Sequence, residues 1–114
     1  MVTPSIGGVV TVRFPFSDLS DSKLRPALVL ADAGMGDWVL CQLTSNAYSD
    51  LTAIRIQDED FQRGSLHRDS YARPGKLFTA SENLMEKEVG TLRDATFRKV
   101  MSAVIRMFQN SLSI

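Results

Sequence analysis

The chain has 114 residues, 44% of them hydrophobic and 23% charged, which fits a single globular domain with one core. Its formal net charge is +0, so no global field draws it to nucleic acid, and any contact with a polyanion must come from a local patch. No basic segment followed by an apolar run opens the chain, and no apolar run approaches the roughly 18 residues that span a membrane, so the expectation is a soluble cytoplasmic protein without membrane contact.

Residues 1–6 are expected to form a loose tail, ended by Gly7-Gly8. VVTVRFPF is rich in β-branched and aromatic residues and predicts a strand over about residues 8–14. A polar loop follows over residues 17–24, with Ser and Asp as turn formers. Arg25-Pro26 then leads into PALVLAD, a short continuous apolar run of the kind buried on both faces of a sheet. AGMGD reads as a hairpin turn and WVLCQLTS as the next strand, antiparallel to the one before it. Cys41 has no partner for an intrachain disulfide and reads as a small buried hydrophobe.

LTAIRIQ alternates and predicts a shorter strand over about residues 51–57. Asp58-Glu59-Asp60 reads as a solvated turn and FQRGS as irregular chain. SLHRDSYAR alternates weakly, as an edge strand does, and Pro74-Gly75 signals a turn. KLFTASENL and MEKEVGTL fit either strands or single helical turns. Phe97, Val100, Met101, Val104, Ile105 and Phe108 recur at helical spacing, which predicts a helix over about residues 93–108 with one apolar stripe for core or subunit interface. Thr91 and Asp94 would begin it in the manner of a capping box. About five strands and a terminal helix predict a mainly β fold, a small, strongly curved antiparallel barrel capped by the helix, since a flat sheet of this size would leave its edges exposed.

With one Cys and one His there is no cluster at metal-ligand spacing. Phosphate-loop and dinucleotide-binding glycine motifs and a nucleophile elbow are also missing from the sequence. What remains is a set of phosphate-capable groups. Pro26 biases Arg25 towards extended backbone, which seats a guanidinium where a loop becomes a strand. Nine of the 13 cations are arginine, whose planar fork matches a phosphate. Thr44 and Ser45 end the strand that follows the hairpin. Arg63 to Lys76 carries Arg63, His67, Arg68, Arg73 and Lys76 against Asp69 alone, with Phe61, Tyr71 and Phe78 interleaved, a pattern that joins charge to base stacking on a single strand. The plainer readings are a hairpin loop that happens to end in a charge, and a solvated edge strand.

Taken together, these pieces resemble the PemK/MazF family of toxins from type II toxin–antitoxin systems, and most of all its short PemK-like branch. The likeness rests on Gly7-Gly8-Val9-Val10 with FPFSDL, the run Lys23 to Leu30, Cys41-Gln42-Leu43-Thr44-Ser45, Asp60-Phe61, the run Ser70 to Thr79, and Val89-Gly90-Thr91-Leu92 leading into the helix. It covers nearly the whole chain, in order. The resemblance implies one SH3-like barrel domain over residues 1–114 with a C-terminal helix, usually as a homodimer. It implies an endoribonuclease that needs no metal or other cofactor, cuts single-stranded RNA at a short sequence, and is neutralised by a cognate antitoxin, with which such toxins also bind DNA.

Arg25 matches the family's catalytic arginine and Thr44 its hydroxyl residue, with Ser45 in support. Lys23, Arg68, Ser70, Tyr71, Arg73 and Lys76 would contact RNA. Arg73 stands where some members carry a second catalytic arginine, but the aspartate base expected two residues on is Gly75 here. His67 is the local substitute, because histidine as a class changes charge near neutrality. Gly8 also departs from the family's usual acidic residue. Two other readings stay open on sequence: a non-catalytic SH3-like module that holds RNA or a peptide, for which Gly75 speaks, and a gyrase-directed toxin of the same fold, which the plain Asn110 to Ile114 terminus does not favour.

Overall fold

A computed structural model describes residues 2–15, 22–47 and 49–113, without the side chains of residues 14, 15, 22 and 23. Most of the polar loop expected over 17–24, and the side chain of Lys23, therefore lie outside the described residues. The strands are β1 (Gly8–Pro15), β2 (Ser22–Gly34), β3 (Asp37–Thr44), β4 (Ile54–Ile56), β5 (Phe61–Gly64), β6 (Ser70–Ser81) and β7 (Met85–Leu92), followed by helix α1 (Asp94–Leu112). They form one curled, half-barrel antiparallel sheet in the order β4-β6-β3-β2-β1-β7-β5, with α1 packed on β6 and β4. The β-barrel-plus-helix class expected from sequence holds, with seven strands rather than five.

Strand alternation sends side chains to two apolar layers. Leu28 and Leu30 of β2, with Cys41 and Leu43 of β3, join Val9, Ile56, Ala72 and the helix residues Val100 and Val104. Ala27 and Val29 of β2, with Leu40 of β3, join Val10, Val12, Ala80 and Met85 on the opposite face. Burial on both faces explains why the centre of β2 reads as a continuous apolar run. The β2–β3 hairpin has a two-residue loop, Met35-Gly36, with φ of 57° and 81°. Positive φ at both positions is the primed turn, whose twist matches that of the flanking strands.

Several expectations are corrected. Residues 2–6 are not a loose tail: Pro4 is buried and Val2 packs against the second apolar layer. β2 begins at Ser22, before the expected end of the loop, and the strand expected over 51–57 shrinks to Ile54–Ile56. FQRG is a strand, because Gly64, at φ 75°, lets β5 close on β7: a Cβ there would lie 2.1 Å from the Val89 carbonyl oxygen. β6 is no edge strand, since it lies between β4 and β3. Pro74-Gly75 makes no turn within it. The β4 ladder ends at Ala72 and the β3 register shifts between Cys41 and Leu43, so the missing Pro74 N–H falls where pairing is already interrupted.

The helix runs four residues beyond its expected end, and its start is not a capping box. Thr91 stays in β7, where its hydroxyl accepts from Arg63 at 2.9 Å, and Asp94 pairs with Arg98 at 2.7 Å. The anchor is the segment expected to be a solvated turn. Asp60 accepts from the Thr96 hydroxyl at 2.8 Å and from the Gln57 N–H at 2.7 Å, and its carbonyl accepts from the Arg93 N–H at 2.8 Å. Val100 and Val104 of the apolar stripe are buried, whereas Ile105 and Phe108 remain 47% and 58% exposed.

Candidate active site

β2 meets β3 only from Ala27 onward, paired with Gln42. The two preceding residues pair with β1 alone, Pro26 with Thr11 and Arg25 with Val12. Pro26 thus lies one step outside the β3 ladder, where a missing N–H interrupts nothing on that side. Continuing the β2–β3 register past Ala27 brings Arg25 level with Thr44, on the same face of the sheet. The Thr44 hydroxyl is fixed at the strand end, donating to the Asn46 carbonyl at 3.1 Å and accepting from the Asn46 N–H at 3.2 Å.

Where β2 and β3 part, they open a cleft of about 410 Å³. Arg25, Thr44, Ser45, Arg68 and Ser70 line it, with Thr11, Leu24, Pro26, Leu43 and Leu66 as its remaining walls. Two arginines and several hydroxyl residues therefore line one cleft, and no carboxylate joins them among the described residues. Ser70 is only 2% exposed and donates weakly to the Arg68 carbonyl at 3.5 Å, which leaves it at the floor of the cleft rather than on its rim.

The other sequence candidates lie elsewhere. Tyr71 pairs with Thr44 across β3 and β6 and is not itself among the residues that line the cleft. His67, with φ 60°, lines a separate depression with Asp58, Glu59 and Asp69, and Arg68 is common to that depression and the cleft. Arg73 does not line the cleft. Its guanidinium holds Asp50 at 2.9 Å. The Thr52 hydroxyl, Arg73 and the Thr52 N–H together keep the Asp50 carboxyl down at about 2, so this clasp between β6 and the turn before β4 is charged at any ordinary pH. Lys76 is exposed on β6 away from the cleft. Cys41 donates to the Arg73 carbonyl at 3.2 Å, and burial pushes its thiol up to about 12, which makes it an inert core residue.

Arg55 is the residue the sequence reading passes over. It is a lone cation between Ile54 and Ile56, and it pairs with Tyr71 on the side away from Thr44. Its only sequence signal is that interruption of an apolar alternation. At the other departure from the family pattern, Gly8, the Glu88 carboxylate of the adjacent strand comes within 3.2 Å of where a Cβ would stand.

At a strand junction of this small curled barrel, the described residues place two arginines and several hydroxyl residues, and no carboxylate, along one cleft. The sequence matches the model of the PemK-like, MazF-like toxins of type II toxin–antitoxin systems over residues 5–108, and the chain belongs to that family. The fold is similar to that of MazF in a MazE–MazF crystal structure from Deinococcus radiodurans, with a TM-score of 0.77 at 16% identity, covering 96% of this chain and 98% of that one. It is also similar to an endoribonuclease from a mycobacterial species in complex with its cognate antitoxin, with a TM-score of 0.74 at 16% identity over 94% and 96% of the two chains. A further mycobacterial endoribonuclease gives 0.72 at 17% identity over 96% and 94%. No curated protein matches the sequence. No helix among the described residues is long and apolar enough to cross a membrane.

Proposed function

We propose that this protein is a toxin that acts as an endoribonuclease on single-stranded RNA without a metal, using the substrate's own 2′-OH as nucleophile. The observation that carries the reading is that Arg25, Thr44, Ser45 and Arg68 line one cleft with no carboxylate beside them among the described residues. The 2′-oxygen attacks the adjacent phosphorus, an O–P bond forms, and the bond from phosphorus to the 5′-oxygen breaks. The 2′-OH proton passes to a base, and the leaving oxygen takes up a proton. The products are a 2′,3′-cyclic phosphate and a 5′-OH, and DNA cannot react this way. Such a mechanism asks the protein for in-line positioning and for stabilisation of the phosphorane charge. Arg25 supplies that charge and can protonate the leaving oxygen. Thr44 holds the scissile phosphate or orients the 2′-OH, with Ser45 beside it, and Arg68 adds charge at the rim. A cognate antitoxin that covers the cleft, and a homodimeric state, belong to the same reading.

Incubation of the purified protein with a long RNA, with and without chelator, followed by mapping of the new termini, tests it. Cleavage that persists in chelator and leaves 5′-OH ends is expected. Intact RNA, or ends bearing 5′-phosphate, would overturn the reading.

The base has its own test. Gly75 has no side chain to serve, and His67 is the only imidazole in the chain. If His67 takes the 2′-OH proton, His67→Ala is expected to lower the single-turnover rate steeply, by 10²-fold or more on the order expected for general bases, and to remove the acid limb of the pH–rate profile. An unchanged profile assigns the proton to another acceptor.

A further inference from the structure

Beyond the cleft, the sheet carries a continuous row of side chains on one face. Thr44 of β3 pairs with Tyr71 of β6, and Tyr71 pairs with Arg55 of β4. Paired residues of neighbouring strands point to the same side of a sheet. Adjacent strands are about 4.8 Å apart, so Arg55 stands roughly 10 Å from Thr44, with the Tyr71 ring between them. That is the order cation, aromatic, reacting centre.

The Arg55 guanidinium is turned onto Asp69, which accepts from its Nε at 3.1 Å and from its terminal nitrogen. Asp69 directly follows Arg68, which lines the cleft. Both partners of this ion pair are about half exposed, and exposed pairs contribute little to stability. The pair is also accessible to a competing anion: both Arg55 nitrogens meet the single Asp69 Oδ2, whereas a phosphate offers the fork two oxygens.

We propose that Arg55 is an additional substrate-binding residue that holds an RNA phosphate beside the cleft, with the intervening base stacked on Tyr71 and with Asp69 competing for Arg55 until RNA displaces it. The inference rests on the ribonuclease reading above. It makes Asp69 a built-in brake: RNA that cannot reach Arg55 and Tyr71 together leaves the ion pair closed and binds less tightly. The row thereby discriminates by the length and path of the single strand outside the bond that is cut. An edge strand such as β4 also carries a charge merely to discourage pairing with other chains. That role involves neither Tyr71 nor Asp69 and leaves RNA binding unchanged.

The test measures binding by fluorescence anisotropy on an RNA containing the cleavage sequence, with 2′-deoxy at the cut so that it stays intact, over a range of salt. Arg55→Met is expected to weaken binding about 3- to 10-fold and to reduce the slope of log K against log salt by about 0.7, the loss of one single-strand phosphate contact. Tyr71→Leu is expected to weaken it about tenfold, as loss of one stacked base does. Asp69→Asn is expected to tighten binding several-fold, but only while Arg55 is present, so the effect should vanish in the Arg55→Met, Asp69→Asn double variant. Thermal melts establish that each variant is folded. Unchanged affinity and salt slope in Arg55→Met, while the wild type binds and cuts RNA, would overturn this inference alone. Equal tightening by Asp69→Asn with and without Arg55 would overturn the competition. A wild type that neither binds nor cuts RNA would overturn both this inference and the function it rests on.

Discussion

Arg25→Ala is expected to lower the single-turnover cleavage rate by about 100-fold or more while weakening RNA binding less than about tenfold. The asymmetry follows from where the residue sits. β1 holds its backbone through the Val12 pairing, and β3 has not yet joined the ladder, so the residue is carried on paired strand beside an open cleft. A donor fixed in advance of the reaction acts most strongly where charge develops, on the phosphorane oxygens, and least on the ground-state phosphate. A 100-fold loss corresponds to about 2.7 kcal/mol of transition-state stabilisation, the scale of one preorganised donor. Arg25→Lys should recover only part of the rate, because an ammonium keeps the charge but loses the planar fork. Rate and affinity measured on the same RNA separate the two roles. Parallel losses in both would make Arg25 a binding residue, and a wild-type rate in Arg25→Ala would remove it from the chemistry.

Much of this arrangement was legible before the structure, for identifiable reasons. β1, β2, β3 and the hairpin between them are long, β-branched and bounded by glycine, so local preference and tertiary environment agree. The helical stripe from Phe97 to Val104 was equally clear, because burial follows its period. The second half of the chain was harder. β4 and β5 have three and four residues, too few for a period to declare itself. β6 reads as an edge, and as a strand broken at Pro74-Gly75, because its sequence is basic and a turn signal interrupts it. Neither feature reports that β3 and β4 flank it, or that their ladders are already broken where the proline falls. Asp60 carried no sign of its partners, since Thr96 lies 36 residues further on. The site follows the same division. Arg25 and Thr44 were readable as residue types at strand ends, but their alignment depends on the β2–β3 register. Arg73 reads as one more cation in a basic segment, and only its Asp50 partner marks it as a clasp.

A substrate carrying 2′-deoxy at the single nucleotide 5′ to the cut is expected to be inert, while binding nearly as well as all-ribose RNA. Removing one hydroxyl leaves every phosphate in place, so the electrostatic part of the binding proposed for Arg25 and Arg68 should be retained. What is lost is the nucleophile itself. A lining hydroxyl of Thr44 or Ser45 could stand in for it only by forming a covalent phosphoryl intermediate, a route the proposed mechanism does not use. The loss should therefore be complete within detection rather than the partial defect of a residue change, and it should be confined to that one position: 2′-deoxy substitution at the neighbouring nucleotide should leave a cleavable substrate. Excess chelator should leave the rate on all-ribose RNA unchanged, since the in-line attack needs only a base, an acid and a charge on the phosphorane. Cleavage of the deoxy substrate at the same bond, with a 5′-phosphate or 3′-OH end, would mean that water attacks instead. The roles of Arg25 and Thr44 would then have to be drawn around an external nucleophile.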